Sequence, residues 1–100
     1  MDAITYMPFV TVHRVIKNGQ LMIWEEGHII KLTAQYVETP SHQFSFENVH
    51  DVSFKEFSTK EGILYLHTSQ GVFPFQVKER PHSFINRFKT LKTLKQNDSL

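Results

Sequence analysis

Residues 62–77, GILYLHTSQGVFPFQV, decide the fold because they predict a β-hairpin that leads directly into a helix. The segment Thr68–Gly71 is typical of a type I turn whose last residue takes a left-handed conformation, which glycine adopts without strain. Phe73 and Phe75 share one face of the returning strand, and Pro74 lies on the other. Because Pro74 has no N–H for a ladder, it places this strand at an edge or a bulge.

The helix is predicted over about residues 81–95, with Pro81 at its first position, where a missing N–H costs nothing. Its apolar side chains form one stripe and its polar side chains cover the back, as expected for a helix that packs against a sheet. The stripe consists of Phe84, Ile85, Phe88 and Leu91. This helix therefore closes the fold.

Short, turn-bounded segments upstream of the hairpin predict five further strands. They are Ile4–Ile16, Leu21–Trp24, His28–Thr33, Gln43–Phe46 and Val49–Phe57. Tyr36 and Val37 are expected only to extend the third of these strands. The turn Lys17–Gln20 contains Asn-Gly, the strongest short signal for a type I′ hairpin turn. Gly27 is expected to break the chain between the second and third strands.

Seven strands and one helix in 100 residues predict a mainly β domain. The expected architecture is a curled antiparallel sandwich or partial barrel, capped by the C-terminal helix. Nine phenylalanines, eight of them between Phe44 and Phe88, supply the large rings that fill such a curved sheet. We expect one domain over residues 1–96 and a frayed tail over residues 97–100.

The order of these elements resembles the pleckstrin-homology-like superfold, including its bacterial and GRAM-type members. The resemblance covers roughly residues 4–95 and rests on hydrophobic spacing and turns. Its carrying positions are Gly27, Ile29, Lys31, Leu32 and Thr33, then Phe44, Phe46, Val49 and Val52, then Gly62, Leu64, Leu66, Thr68, Gly71, Phe73 and Phe75, and finally Pro81, Phe84, Ile85 and Phe88. It implies a fold, but one fold hosts many functions. A lipocalin-like or other small barrel is the structural competitor.

Charge is uneven along the chain, although the net charge is only +1. Residues 1–77 carry a net charge of −3, and residues 78–100 carry +4. Cations late in a helix favour its negative dipole end, and the same residues can form a patch for an anionic membrane or an acidic partner. Arg87, Lys89 and Lys92 are therefore candidate interaction residues. Phosphoinositide-binding members of the resembled superfold use cations near the first hairpin, where this chain has Arg14, Lys17 and Lys31, opposed by Glu25 and Glu26.

Met22 and Trp24 lie on the strand face opposite Leu21 and Ile23. One of these two apolar pairs has to point away from a one-sided core, unless the strand is covered on both sides. If Met22 and Trp24 point outward, they form an apolar patch that marks a partner surface. They complete the set of candidate interaction residues.

Recognisable chemical motifs are absent from the sequence. The chain has no cysteine, no glycine-rich phosphate loop, no nucleophile elbow and no zinc-protease helix motif. Its six histidines form no pair at metal-ligand spacing, so we predict no catalytic, cofactor or metal site. Nucleic-acid binding is disfavoured because Phe84 and Phe88, beside the basic residues, belong to the buried stripe.

The sequence therefore predicts a non-catalytic interaction module that binds a protein partner or itself. A membrane-surface adaptor acting through the basic helix, and a small-molecule site inside the barrel, are the alternatives. No signal peptide is apparent at the N-terminus, and this, with the lack of cysteine, leads us to expect a cytoplasmic protein.

Overall fold

The computed structural model describes residues 4–98, with side chains described for residues 4–95. Seven strands, one short 3₁₀ turn and one helix follow each other along the chain. They are β1 (Thr5–Lys17), β2 (Gln20–Leu32), β3 (Tyr36–Glu38), β4 (Gln43–Ser45), the 3₁₀ turn Phe46–Asn48, β5 (Val49–Glu56), β6 (Gly62–Thr68), β7 (Gly71–Val77) and α1 (His82–Asp98). The predicted seven-stranded antiparallel sheet with a single C-terminal helix is confirmed. Residues 97 and 98, predicted as tail, continue the helical backbone, and the rest of that tail lies outside the described residues.

The strands form one open antiparallel sheet in the order β4-β3-β2-β1-β7-β6-β5. Its two halves meet where β1 pairs with β7, through the single register position Val10–Gln76. The sheet is curled but not closed, so the barrel named among the sequence expectations does not form. The predicted edge or bulge at Pro74 is wrong, because β7 lies inside the sheet between β1 and β6 and pairs with β6 in a continuous register. Pro74 is tolerated there because β1 pairs with β7 only at Gln76.

The second and third predicted strands are one strand, and the predicted break at Gly27 is wrong. β2 pairs with β1 without interruption from Lys17–Gln20 to Thr5–Leu32, and Gly27 lies opposite Val10. The predicted strand count is nevertheless right because Tyr36–Glu38, expected only as an extension, is a strand of its own.

The turns follow local chemistry. Asn18 and Gly19 have φ angles of 53° and 77°, as the predicted type I′ turn requires, and Gly71 has a φ of 124°. Three buried threonines shape further turns, because each side-chain oxygen accepts N–H groups from residues two or three positions later. These are Thr33, Thr39 and Thr68.

The core lies between the inner face of the sheet and α1. Phe84 and Phe88 are at most 2% exposed, and the ring of Phe88 packs 5.2 Å from that of Phe46. Strand residues from both halves of the sheet complete the core, including Ile30, Leu32, Val52, Leu64 and Leu66. The apolar stripe of α1 therefore packs against the inner face of the sheet, as predicted.

Candidate interaction surface on the β1–β2 hairpin

The first hairpin extends well beyond the core. The buried apolar residues of this hairpin all lie in the half that is farther from its turn. They are Met7, Phe9, Ile30 and Leu32. The half nearer the turn consists of Thr11–Lys17 of β1 and Gln20–Glu26 of β2. We call this half the arm. At ~3.3 Å per residue, its seven residue pairs span about 23 Å.

The shape of the molecule reflects this arm. The principal extents are 62 × 27 × 25 Å, and the Cα radius of gyration is 15.6 Å. A compact chain of about this length has a radius of gyration of ~13 Å. The arm is thus a projection from a compact body and contributes none of the buried apolar core residues.

Both faces of the arm expose apolar side chains. Residues directly opposite one another in the register share a face, which assigns each pair. The outer face, which turns away from the core side, carries Val12, Ile16, Leu21 and Ile23, together with Arg14 and Glu25. The inner face carries Val15, Met22 and Trp24, together with His13, Lys17, Gln20, Glu26 and Thr11.

The two apolar pairs compared in the sequence are therefore both exposed. Met22 and Trp24 are 51% and 47% exposed, and Leu21 and Ile23 are 60% and 56% exposed. The expected choice between an outward pair and a doubly covered strand does not arise, because both pairs are about half exposed. The sequence had signalled Met22 and Trp24 but missed the outer face, whose Ile16 is 76% exposed.

A polar cluster crosses the inner face where the arm leaves the body. Glu26 Oε1 lies 2.9 Å from His13 Nε2 and 3.9 Å from His28 Nε2. The hydroxyl of Thr11 lies 3.2 Å from both ring nitrogens, and the His13 ring stacks on Trp24. Within residues 4–98, no group of three or more histidine or carboxylate side chains is arranged to hold a metal ion. We therefore interpret this cluster as a hydrogen-bonded brace.

The base of the arm is fixed to the body. Lys78, directly after β7, donates from Nζ to Glu25 Oε2 at 2.9 Å and lies 3.5 Å from Glu61. The hydrogen bond to Glu25 raises the pKa of Lys78. Phe9 packs edge-on against Phe75 with ring centroids 4.9 Å apart. These contacts hold the arm at its root.

Both edges of the arm are open along most of its length. β7 reaches β1 only at Val10, so the backbone of Thr11–Lys17 is paired on one side alone. β3 reaches β2 only at Lys31 and Leu32, so Gln20–Ile30 is likewise paired on one side. Unpaired strand edges present N–H and C=O groups that another strand can bind.

The basic helix residues fall into two groups. Arg87 and Lys89 are exposed on α1. Lys92 instead donates from Nζ to the carbonyl of Phe46 at 3.2 Å and lies 4.7 Å from the centre of that ring. Burial lowers the pKa of Lys92. Lys95 lies 3.5 Å from Glu47 Oε2 and 5.1 Å from the same ring, so it too is engaged.

The cations near the first hairpin do not converge. Lys31 pairs with Glu38 at 3.6 Å near the body, whereas Arg14 and Lys17 are eight and eleven register positions farther along the ribbon. At ~3.3 Å per position, Arg14 is about 26 Å from Lys31 and Lys17 is about 36 Å from it. A single lipid headgroup cannot span that separation.

One further surface is a candidate. A groove beside α1 is lined by Ile4, Asn86, Arg87, Thr90, Leu91 and Leu94. Leu94 is 55% exposed in this groove. Nothing in the described chain occupies this groove.

No protein-family model matches the chain, and no match was found among curated proteins or solved structures. The sheet order and terminal helix agree with the pleckstrin-homology-like resemblance in general shape. Membership of that superfold stays a prediction. Within residues 4–98, no helix is both long enough and apolar enough to cross a membrane.

Proposed function

We propose that the chain is a non-catalytic interaction module that binds a protein partner through the β1–β2 arm. The observation that carries this proposal is the exposure of apolar side chains on both faces of a two-stranded projection. Contiguous apolar surface of this kind marks a binding site more often than it marks ordinary solvent-facing surface.

Energetics favour a covered arm. A two-stranded hairpin alone is at best marginally stable in water, and strands are usually about five or six residues long, whereas β1 and β2 have 13 each. Covering a large, half-exposed apolar side chain gains about 1 kcal/mol. Seven such side chains supply ~7 kcal/mol, which is comparable with the lower estimates of the cost of association. A partner therefore has to cover several of these side chains at once.

The open edges offer a second source of affinity. An extended segment that adds to β1 or β2 satisfies backbone N–H and C=O groups, and pockets between alternate side chains supply specificity. Charged residues on the arm, Arg14, Lys17, Glu25 and Glu26, discourage indiscriminate pairing of such edges. The arm therefore combines apolar attraction with polar selection.

Binding of an anionic membrane through α1 is the weaker candidate. Lys92 and Lys95 are held against Phe46 and Glu47, which leaves Arg87 and Lys89 as the exposed pair on this helix within the described side chains. Each cation near an anionic surface contributes about 1 kcal/mol. Two cations give weak binding that salt readily screens.

The test is site-specific photo-crosslinking in cells that make the protein. A photoreactive amino acid replaces Ile23 on the arm, and in a control variant it replaces the exposed Asn86 on α1. We expect a discrete polypeptide adduct, identified by mass spectrometry, at position 23 and none at position 86. An adduct with another copy of the chain also counts as a protein adduct. If position 23 gives no adduct, and position 24 on the inner face gives none either, the proposal is wrong.

A further inference from the structure

Charge is distributed along the arm in a self-complementary way. Lys17 lies at its tip and Arg14 at its middle, whereas Glu25 and Glu26 lie at its base. Exposed apolar side chains lie beside these charges on both faces, and the four charges sum to zero. Two identical arms placed side by side in the same direction would oppose like charges. Placed in opposite directions, they oppose unlike charges.

We infer that the partner of the arm is a second copy of this chain, whose arm lies antiparallel across the outer face. This inference rests on the proposed function, since it names the partner of the same surface. A twofold axis gives the antiparallel arrangement directly and makes the contact self-complementary.

The register places the charges for this contact. On the outer face, the pair Val12–Glu25 is next to the pair Arg14–Ile23. A twofold axis between these two pairs lays each over the other pair of the second copy. Arg14 of each arm then lies over Val12 of the other and diagonally opposite Glu25 of the other, and Ile23 of each lies over that Glu25. Aliphatic packing and charge pairing thus coincide in one arrangement.

Arg14 is the outer-face cation that a second copy would pair with a carboxylate. None of the ion pairs among residues 4–98 involves it, although apolar side chains surround it on the outer face. Glu25 uses Oε2 for Lys78, which leaves its other oxygen for a second cation. On the inner face, by contrast, Glu26 is already bound to His13. On the outer face, Arg14 and the second carboxylate oxygen of Glu25 are therefore both open to an ion pair with another copy.

The expected dimer is weak. A ribbon face about 23 Å long and about 10 Å wide presents a few hundred Å² per copy, below the ~800 Å² per partner of standard stable interfaces. Association is therefore expected to depend on concentration in the micromolar range or above, and to exchange rapidly.

Charge reversal provides the test, read out by sedimentation velocity of the purified full chain over a range of concentrations. The wild type should show a dimer fraction that rises with concentration. Arg14→Glu places like charges at both symmetric contacts, and so does Glu25→Arg. Each variant alone should raise the dissociation constant about tenfold or more.

Mixing the two variants gives a sharper outcome. In a heterodimer of Arg14→Glu with Glu25→Arg, both contacts again join opposite charges, so an equimolar mixture should recover the wild-type dimer fraction. Lys89→Glu and Glu79→Arg make the same charge changes at exposed positions off the arm and should leave association unchanged. Circular dichroism of each variant checks that the fold persists.

A wild type that remains monomeric at every concentration overturns this inference, and so does a mixture that fails to recover the dimer. The photo-crosslinking result keeps the two proposals distinct. If the chain is monomeric and position 23 captures a different protein, the inference of a second copy is wrong, but the proposed protein-binding function is supported. A monomeric chain with no adduct overturns both.

Discussion

At the scale of single residues, Glu56 shows how one exposed carboxylate organises a turn. Its Oε2 accepts a hydrogen bond from Arg80 Nε at 2.9 Å and another from the backbone N–H of Lys60 at 2.9 Å. Lys60 has a φ of 70°, in the left-handed region that a lysine rarely occupies. Glu56 thus holds the β5–β6 turn and ties it to the segment that precedes α1.

Glu56→Gln is expected to lower stability at neutral pH but not at acid pH. The hydrogen bond to Arg80, and then that to Lys60, lower the pKa of Glu56 below its ordinary value of 4.5. A lowered pKa stabilises the folded state above the unfolded-state pKa, and this stabilisation is lost as pH falls through the folded-state pKa. The wild type should therefore melt at a higher temperature than the variant at pH 7, and the difference should shrink as the pH falls through the folded-state pKa of Glu56.

Thermal unfolding followed by circular dichroism at neutral and at acid pH measures this difference. Glu79→Gln is the matched control because Glu79 is exposed and makes none of the ion pairs among residues 4–98. It should change the melting temperature little at either pH. An equal gap between the wild type and Glu56→Gln at both pH values would show that the charge of Glu56 has no part in the effect.

Lys92 shows where a prediction from residue type reaches its limit. The sequence identifies it as a cation four residues after Phe88 and so places it near the edge of the apolar stripe. Which carbonyl it meets depends on Phe46, 46 residues away in the chain. Long-range contacts of this kind decide whether a cation is part of an exposed patch or part of the packing.

At the scale of elements, Gly27 and Gly62 look alike in sequence and differ in structure. A methyl group at Gly27 would meet no atom within 4 Å, and the residue lies exposed within β2. A methyl group at Gly62 would collide with the Lys55 carbonyl oxygen and would come 2.6 Å from a ring carbon of Phe54. Only Gly62 is needed for close packing between neighbouring strands.

Gly27→Thr is therefore expected to stabilise the fold by about 0.5–1 kcal/mol, because glycine loses the most backbone freedom in a strand and threonine favours an extended backbone. Chemical denaturation at low protein concentration measures the change. Gly62→Ala is the contrasting variant and should destabilise by about 1–3 kcal/mol through overpacking. A loss of stability in Gly27→Thr would show that β2 requires glycine at this position.

The turns were predictable from sequence and the length of β2 was not. Positive φ at Asn18, Gly19 and Gly71 follows from side chains that tolerate it, which is a local property. The stretch Glu25–Gly27 has low strand propensity, which favours a break. The continuous register with β1 overrides that preference, because each residue of this stretch pairs with a β-branched partner between Val10 and Val12.

At the scale of the whole molecule, the order of elements in the sequence predicted the architecture but did not predict the projecting arm. Alternating apolar residues on both faces of β1 and β2 are typical of strands covered on both sides. The sequence contains no sign that the covering elements stop short of the arm. Exposure is a property of the assembled fold, so the outer face of the arm emerged only with the structure.

Removal of the arm tests whether the body folds without it. Replacement of Arg14–Ile23 by Asn-Gly joins His13 to Trp24, a register pair of the same parity as the native turn pair Lys17–Gln20. A type I′ turn therefore fits at the new position. The buried apolar residues all lie outside the deleted segment, so the melting temperature should change little.

Small-angle X-ray scattering of this shortened variant, compared with the wild type at dilute concentration, should show the radius of gyration falling towards the ~13 Å of a compact domain. The unfolding m-value should fall by little, because the removed surface is largely exposed in both states. Loss of cooperative unfolding in the shortened variant would instead mean that the arm is part of the folding unit. In that case, its apolar faces would have to be explained by stability of the body as well as by binding.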